Sequence, residues 1–328
     1  MRNRNIGESD LQISAIGLGC ALMSGGYKER DDEKSTVALR AAVDLGFKYF
    51  DSSDAYGNGH NEELLRAALG EDMKRVVVGT KFGNVRGPNG ERGGTNGKPD
   101  YVPIACENNL KRLGVDVIDL YTLHRIDPEV PIEDTVGAMG RLVDEGKVRY
   151  IGLCEASADT LRRASKVYKI TTLQSEYSLW SRDVEVDILP TCRELGIEFV
   201  AYAPLGRGFL GGEIRKPADL REGDRRHDHP RFHEENMAAN VRMLETLDGI
   251  AGARRVHQSQ VALAWLLSRG DDILQIPGTS NPAHMQSNID ATEVELTTAE
   301  LDQLDAAFPM GITAGTRYPE KQMHLMAQ

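Results

Sequence analysis

Short apolar runs alternate with segments whose apolar residues recur every three or four positions, and the alternation continues from about Ala15 almost to the end of the chain. The runs at 15–22, 47–50, 75–82, 116–124, 148–154, 171–178, 197–204 and 272–278 predict strands. They are mostly continuous rather than alternating, which suits strands buried on both faces of a parallel sheet. The segments at 32–46, 60–70, 100–114, 132–147, 158–169, 182–196, 240–252, 259–270 and 283–290 predict helices. Several close on a glycine, such as Gly46 and Gly114, as a helix C-terminus prefers. About eight strand–helix beats imply an α/β fold, a (β/α)8 TIM barrel formed by residues 1–328 as a single domain. The stretch "MRNRNIGESDLQIS" predicts a hairpin that plugs the barrel bottom. "LTTAELDQLDAAF", from Leu296, predicts an extra helix capped by Thr297 or Thr298 with Glu300 nearby. Between the seventh strand and the helices that follow lies a long polar stretch, from Leu205 to about Glu235.

In such a barrel the chemistry sits at the C-terminal strand ends, so polar residues there become candidates. The second strand runs into "YFDSSDAYGNGHNEELL" (49–65), which carries Asp51 and Tyr56; the third ends in Lys81 and the fourth in His124. Each has an ordinary structural reading: a turn Asp, a half-buried Tyr, a solvated Lys, a core His. Converging from three strand ends, they make a proton donor for a substrate oxygen. A phenol of ordinary pKa about 10 is a poor acid at neutral pH, and a neighbouring ammonium is expected to lower that value. Asp51 is expected to hold the Lys81 ammonium charged and in place, and a neutral His124 imidazole to orient a carbonyl or share in proton transfer.

Composition narrows the partners. The 39 basic and 50 acidic residues give a net charge of −11, which argues against a nucleic-acid or acidic-membrane partner. Cys20, Cys106, Cys154 and Cys192 are widely spaced, as expected of reduced, buried thiols. With no leader-like or membrane-spanning run, the sequence predicts a cytoplasmic protein. "HDHPRFHEE" clusters His227, His229 and His233 in the long polar loop, where a lid over a ligand is favoured over a metal site; no metal is expected. "PLGRGFLGG" satisfies GxGxxG through Gly206, Gly208 and Gly211, but too late in the chain, and without the following strand and acid, for a Rossmann reading.

The segments "GFKYFDSSDAYGNGHNEELL", "VVVGTKFG", "IDLYTLHRID", "LVDEGKVRYIGLCEAS", "LQSEYSLWSR", "AYAPLGRGFLGG" and "IPGTSNPAHMQSNID" resemble successive signatures of the aldo-keto reductase family, in order from about Ile16 to Ala291. They most resemble the bacterial and plant branch with "GRGFL" after the seventh strand. The resemblance implies reduction of aldehydes or ketones by NADPH, a small-molecule carbonyl as partner, Tyr56 as general acid tuned by Lys81 and Asp51, and His124 placing the carbonyl. It further implies cofactor contacts at Gly19, Cys154, Glu155, Gln174 and Tyr202, at Pro204, Leu205, Gly206, Arg207, Gly208 and Leu210 around the pyrophosphate, and at Gly278, Thr279, Ser280, His284 and Asn288 around the adenosine end. Tyr27 and Trp180 are expected to border the substrate pocket, whose walls come from loops 21–31, 83–99, 126–131 and 205–235. No Lys or Arg lies between Pro277 and Asn288, so NADPH is favoured while NADH or dual use stays open. Two rivals remain: a regulatory or scaffold barrel that binds the nucleotide with negligible turnover, and a barrel hydrolase using Asp51 and Glu155 as a carboxylate pair.

Overall fold

A computed structural model of the chain describes residues 1, 3–87 and 90–326; residues 88–89 of the expected pocket loop 83–99, and Arg2 of the expected hairpin, lie outside the described residues. The chain opens with β1 (Asn3–Asn5) and β2 (Gln12–Ser14), an antiparallel pair. The barrel strands follow as β3 (Leu18–Gly19), β4 (Tyr49–Asp51) and β5 (Val77–Phe82). A second small hairpin, β6 (Asn84–Arg86) with β7 (Arg92–Thr95), precedes β8 (Ile118–Leu123), β9 (Val148–Cys154), β10 (Thr172–Glu176), β11 (Glu198–Tyr202) and β12 (Ile273–Ile276). The barrel strands pair in parallel in the order β12-β11-β10-β9-β8-β5-β4-β3. Bridges from Ile16 to Gln275 and from Gly19 to Gly278 close the ring. That seam requires glycine: a Cβ on Gly19 would stand 2.8 Å from the Ile276 carbonyl oxygen.

The strands carry apolar side chains on both faces because helices cover the outside and side chains fill the inside; all six residues of β5 are buried. Helices Asp32–Asp44 and Ala158–Ser165 start on Asp31 and Ser157, whose side chains accept from backbone N–H groups of the first turn. Helix Tyr101–Leu113 stops on Gly114 at φ +68°, a left-handed position cheap only for glycine. The first hairpin plugs the barrel as expected. Its Ile6, Leu11 and Ile13 pack with Tyr49, Val77, Leu120, Val200, Leu274 and Ile276 inside the ring. Glu198, at the bottom of β11, is buried there; Arg4 pairs with it and the Gly7 N–H donates to it at 3.0 Å.

Several elements differ from the sequence expectation. The helix expected over 182–196 is an α-helix only from Ile188 to Leu195, behind a 3-10 turn at Asp183–Glu185. Pro190 explains this, since a ring without N–H fits the first turn of a helix and not its interior. The segment 240–252 resolves into helices Glu234–Arg242 and Leu244–Arg254. The polar stretch after β11 holds short 3-10 turns, including Gly206–Gly211 and Arg225–Asp228. The extra helix is Thr298–Ala307, with Thr297 as its cap and Glu300 closing the capping box. Beyond it, the C-terminal segment brings Tyr318 and the short helix Glu320–Met323 back to the open end of the barrel. Among the described residues no helix is long and apolar enough to cross a membrane.

Candidate active site

At the C-terminal end of the barrel lies a cleft of about 1760 Å3. Asp51, Tyr56, His124, Gln174 and Tyr202 line its floor, from four of the strands or the loops that follow them. Lys81 is fully buried behind them. Its Nζ donates to Asp51 Oδ1 at 2.5 Å, to the Ser52 carbonyl at 2.8 Å and to Tyr56 Oη at 3.3 Å. The remaining Asp51 oxygen, Oδ2, accepts from Gln174 Nε2 at 2.7 Å and from the buried Tyr49 hydroxyl at 3.5 Å. The carboxylate thus has a partner at each oxygen, which is what keeps a buried ion pair from being a liability.

The phenol is not made acidic in the resting site, contrary to the sequence expectation. Burial pushes Tyr56 up to about 12, and the Lys81 ammonium offsets only part of that. Tyr56 is therefore a phenol at every physiological pH, a donor with its proton in place. Lys81 remains charged: burial works against its ammonium most, but the Asp51 carboxylate together with Tyr56 and Cys154 outweighs burial and raises its pKa.

His124 lies edge-on to Tyr56, ring centroids 5.7 Å apart, and its Nδ1 is 2.9 Å from Ser53 Oγ. In the tautomer whose Nδ1 accepts from Ser53, the Nε2 proton is left for a substrate oxygen. Burial first, then the charges of Arg125 and Lys81, holds the imidazole well below its usual pKa. Two neutral donors thus face the cleft beside one buried cation.

The strand-end geometry extends into the loops. Gly206, Arg207 and Gly208 have φ of +55°, +59° and +94°, so the turn after β11 is left-handed. A Cβ on Gly206 would also meet the Trp180 ring at 2.9 Å. Pro204, Leu205, Arg207 and Gly208 line the cleft, as do Gly19, Gly278, Thr279, Ser280, His284 and Asn288. Helix Pro282–Asp290 starts there on the Asn281 cap. Gly206 and Leu210 are buried beneath this surface.

Other expected residues are placed elsewhere. Cys154 is buried, its thiol pushed up to about 12 chiefly by that burial, and it does not line the cleft. Glu155 is turned into the wall: it accepts from the Tyr202 hydroxyl at 2.8 Å and from the Glu176 N–H at 3.2 Å, and pairs with Arg317 at 3.4 Å. A hydrolytic pair of Asp51 and Glu155 therefore does not face a common space. Trp180 is core, stacked on Phe209 at 4.0 Å. Tyr27 does border the cleft, under the Arg226 guanidinium at 4.3 Å. The His227, His229 and His233 rings bond the carbonyls of Arg221, Arg317 and His227 respectively.

Four contributors were not singled out from the sequence. Ser53 and Tyr49 support the floor, and Tyr318 reaches Tyr202 at 3.3 Å between hydroxyls. Lys28, on the loop before the first barrel helix, donates to Ser280 Oγ at 2.7 Å. A cation absent from 277–288 is thus delivered from a distant part of the chain.

A family model, the aldo/keto reductase family, matches residues 15–308. The chain belongs to the aldo/keto reductase family. It is an oxidoreductase of that family. It is 41% identical over 324 residues to a probable aldo-keto reductase of Glycine max, covering 95% of this chain and 90% of the relative. It is also 41% identical over 312 residues to a Schizosaccharomyces pombe aldo-keto reductase whose name specifies NADP(+), covering 94% of this chain and 92% of the relative. Among solved structures, an aldo-keto reductase from Klebsiella pneumoniae in complex with NADPH superposes with a TM-score of 0.73 at 28% identity, over 96% of this chain and 99% of that one.

The depressed pKa of His124 has a direct readout. The ring should stay neutral, so its imidazole NMR signals should not move between about pH 5.5 and 8, whereas an unperturbed histidine titrates near 6.5. A midpoint for His124 inside that window would contradict the buried, cation-flanked placement.

Proposed function

We propose that the protein is a cytoplasmic, NADPH-dependent reductase of small aldehydes or ketones, with Tyr56 as the general acid. The observation that carries this is the position of Lys81 Nζ, bonded at once to the Asp51 carboxylate and the Tyr56 hydroxyl behind the cleft floor. A substrate oxygen between Tyr56 and His124 accepts hydrogen bonds from the phenol and from imidazole Nε2, and both polarise its carbonyl. When bound, the reduced nicotinamide supplies the hydride that the carbonyl carbon accepts. As charge develops on the oxygen, Tyr56 delivers its proton, and the nearby ammonium stabilises the phenolate left behind. Solvent then restores the phenol proton.

The residues present fit the cofactor. Tyr202, fixed by Glu155 and Tyr318, offers an aromatic face at the floor, and Gln174 offers an amide beside it. The left-handed turn at Gly206–Gly208 brings the Arg207 side chain and the Gly208 backbone to the cleft, a setting that suits a phosphate. At the far end Lys28 stands with Ser280. Burial and the charges of Lys34 and Arg221 weaken its protonation, so this corner favours an incoming anion such as the 2′-phosphate. Lys28 supports the choice of NADPH over NADH. The NADP(+) named for the fission-yeast relative and the NADPH in the Klebsiella complex agree with it. The scaffold alternative leaves the Tyr56–Lys81–Asp51 arrangement without a purpose.

Two variants test the reading. Tyr56→Phe should bind NADPH with unchanged affinity, followed by tryptophan quenching, and lose at least about 100-fold in aldehyde-dependent NADPH oxidation. Retained turnover would remove Tyr56 from the acid role. Lys28→Met should weaken NADPH binding about 10-fold or more while leaving NADH within about twofold. Equal effects on both cofactors would show that Lys28 does not meet the 2′-phosphate.

A further inference from the structure

We propose that Arg125 forms an anion subsite beside the acid of the site, so that the carbonyl compounds this protein reduces best carry a carboxylate. The inference rests on the reductase reading and names its substrate class.

Arg125 directly follows His124 at the end of β8 and lines the same cleft, half-buried. Its Nη1 donates to the His124 carbonyl at 2.7 Å, which pins the head group next to the catalytic ring. A guanidinium has five N–H donors, and this one makes no ion pair among the described residues. The other arginines buried around this end of the barrel are paired. Arg207 and Arg231 reach Glu176 at 3.1 and 3.0 Å, and Arg317 reaches Glu155 at 3.4 Å. Arg125 is thus a fixed cation with donors to spare, placed where a substrate would lie.

The cofactor does not account for it. The phosphate-binding features are the turn at Gly206–Gly208 and the corner of Lys28 and Ser280. The surroundings that favour the Arg125 charge are instead Tyr202, Tyr318 and Glu155, at the nicotinamide end of the cleft. A carboxylate on the substrate would meet a planar donor fork there while its carbonyl sat between Tyr56 and His124. The chemistry is unchanged: the carbonyl carbon gains a hydride, its oxygen gains the Tyr56 proton, and the carboxylate is a spectator.

The test compares meta- and para-carboxybenzaldehyde with their methyl esters, using NADPH and the wild-type protein, Arg125→Gln and Arg125→Lys. Arg125→Gln keeps a donor for the His124 carbonyl but removes the charge. The wild type should favour at least one acid over its ester in kcat/KM, and added salt should reduce that preference. Arg125→Gln should lose about 10- to 100-fold on the acid, mostly in KM, and stay within about threefold on the ester. Arg125→Lys should recover part of the loss. A wild type that prefers both esters at low salt, or a Gln variant that loses equally on acid and ester, overturns the subsite. Failure of the wild type to oxidise NADPH with any acid or ester would instead overturn the reductase reading on which the subsite stands.

Discussion

The buried Lys81–Asp51 ion pair is the constraint on which the site depends. Taking two charges out of water costs several kcal/mol per ion unless each is fully engaged. Here β4 and β5 are adjacent and in register, so that the two side chains rise from neighbouring strand ends. Gln174 from β10 and Tyr49 from β4 complete the carboxylate; Ser52 and Tyr56 complete the ammonium. The phenol is thus one of the groups that satisfies the pair, and is held where a substrate oxygen can reach it. Closing the ring at Gly19 and Gly278 keeps those strand ends converging.

Burial and charge act against each other on Tyr56, and burial prevails in the resting site. The effect is to keep the proton on the phenol until an acceptor arrives. In the proposed reaction the nearby ammonium then acts on the charged form, which is where general-acid catalysis needs it. The sequence could place an ammonium and a phenol at neighbouring strand ends. It could not rank desolvation against their attraction, because that ranking depends on how completely the floor excludes water.

Much of the fold was legible because its signals are local. The eight apolar runs, the glycine returns and the Thr297–Glu300 cap each follow from a few adjacent residues. The hairpin β6–β7 was not, since "NVR" and "RGGT" carry no alternation. Within the site, Asp51, Tyr56, Lys81 and His124 could be read from their strand-end positions. Glu155 follows a strand end too, yet it is turned into the wall, because Arg317 and Tyr202 capture its carboxylate. Lys28, Arg317 and Tyr318 illustrate the opposite limit. They reach the site from loops or the C-terminal segment, and pairings such as Lys28 with Ser280, 252 positions apart, leave no periodic trace.

The most direct test of the account is single-turnover hydride transfer in Lys81→Met, with NADPH pre-bound and a reactive aromatic aldehyde added, followed at the nicotinamide absorbance. If the ammonium is what makes Tyr56 an effective acid, the transfer rate should fall at least about 100-fold while NADPH affinity stays within about threefold. A variant that transfers hydride at the wild-type rate would contradict the central role given to the buried pair.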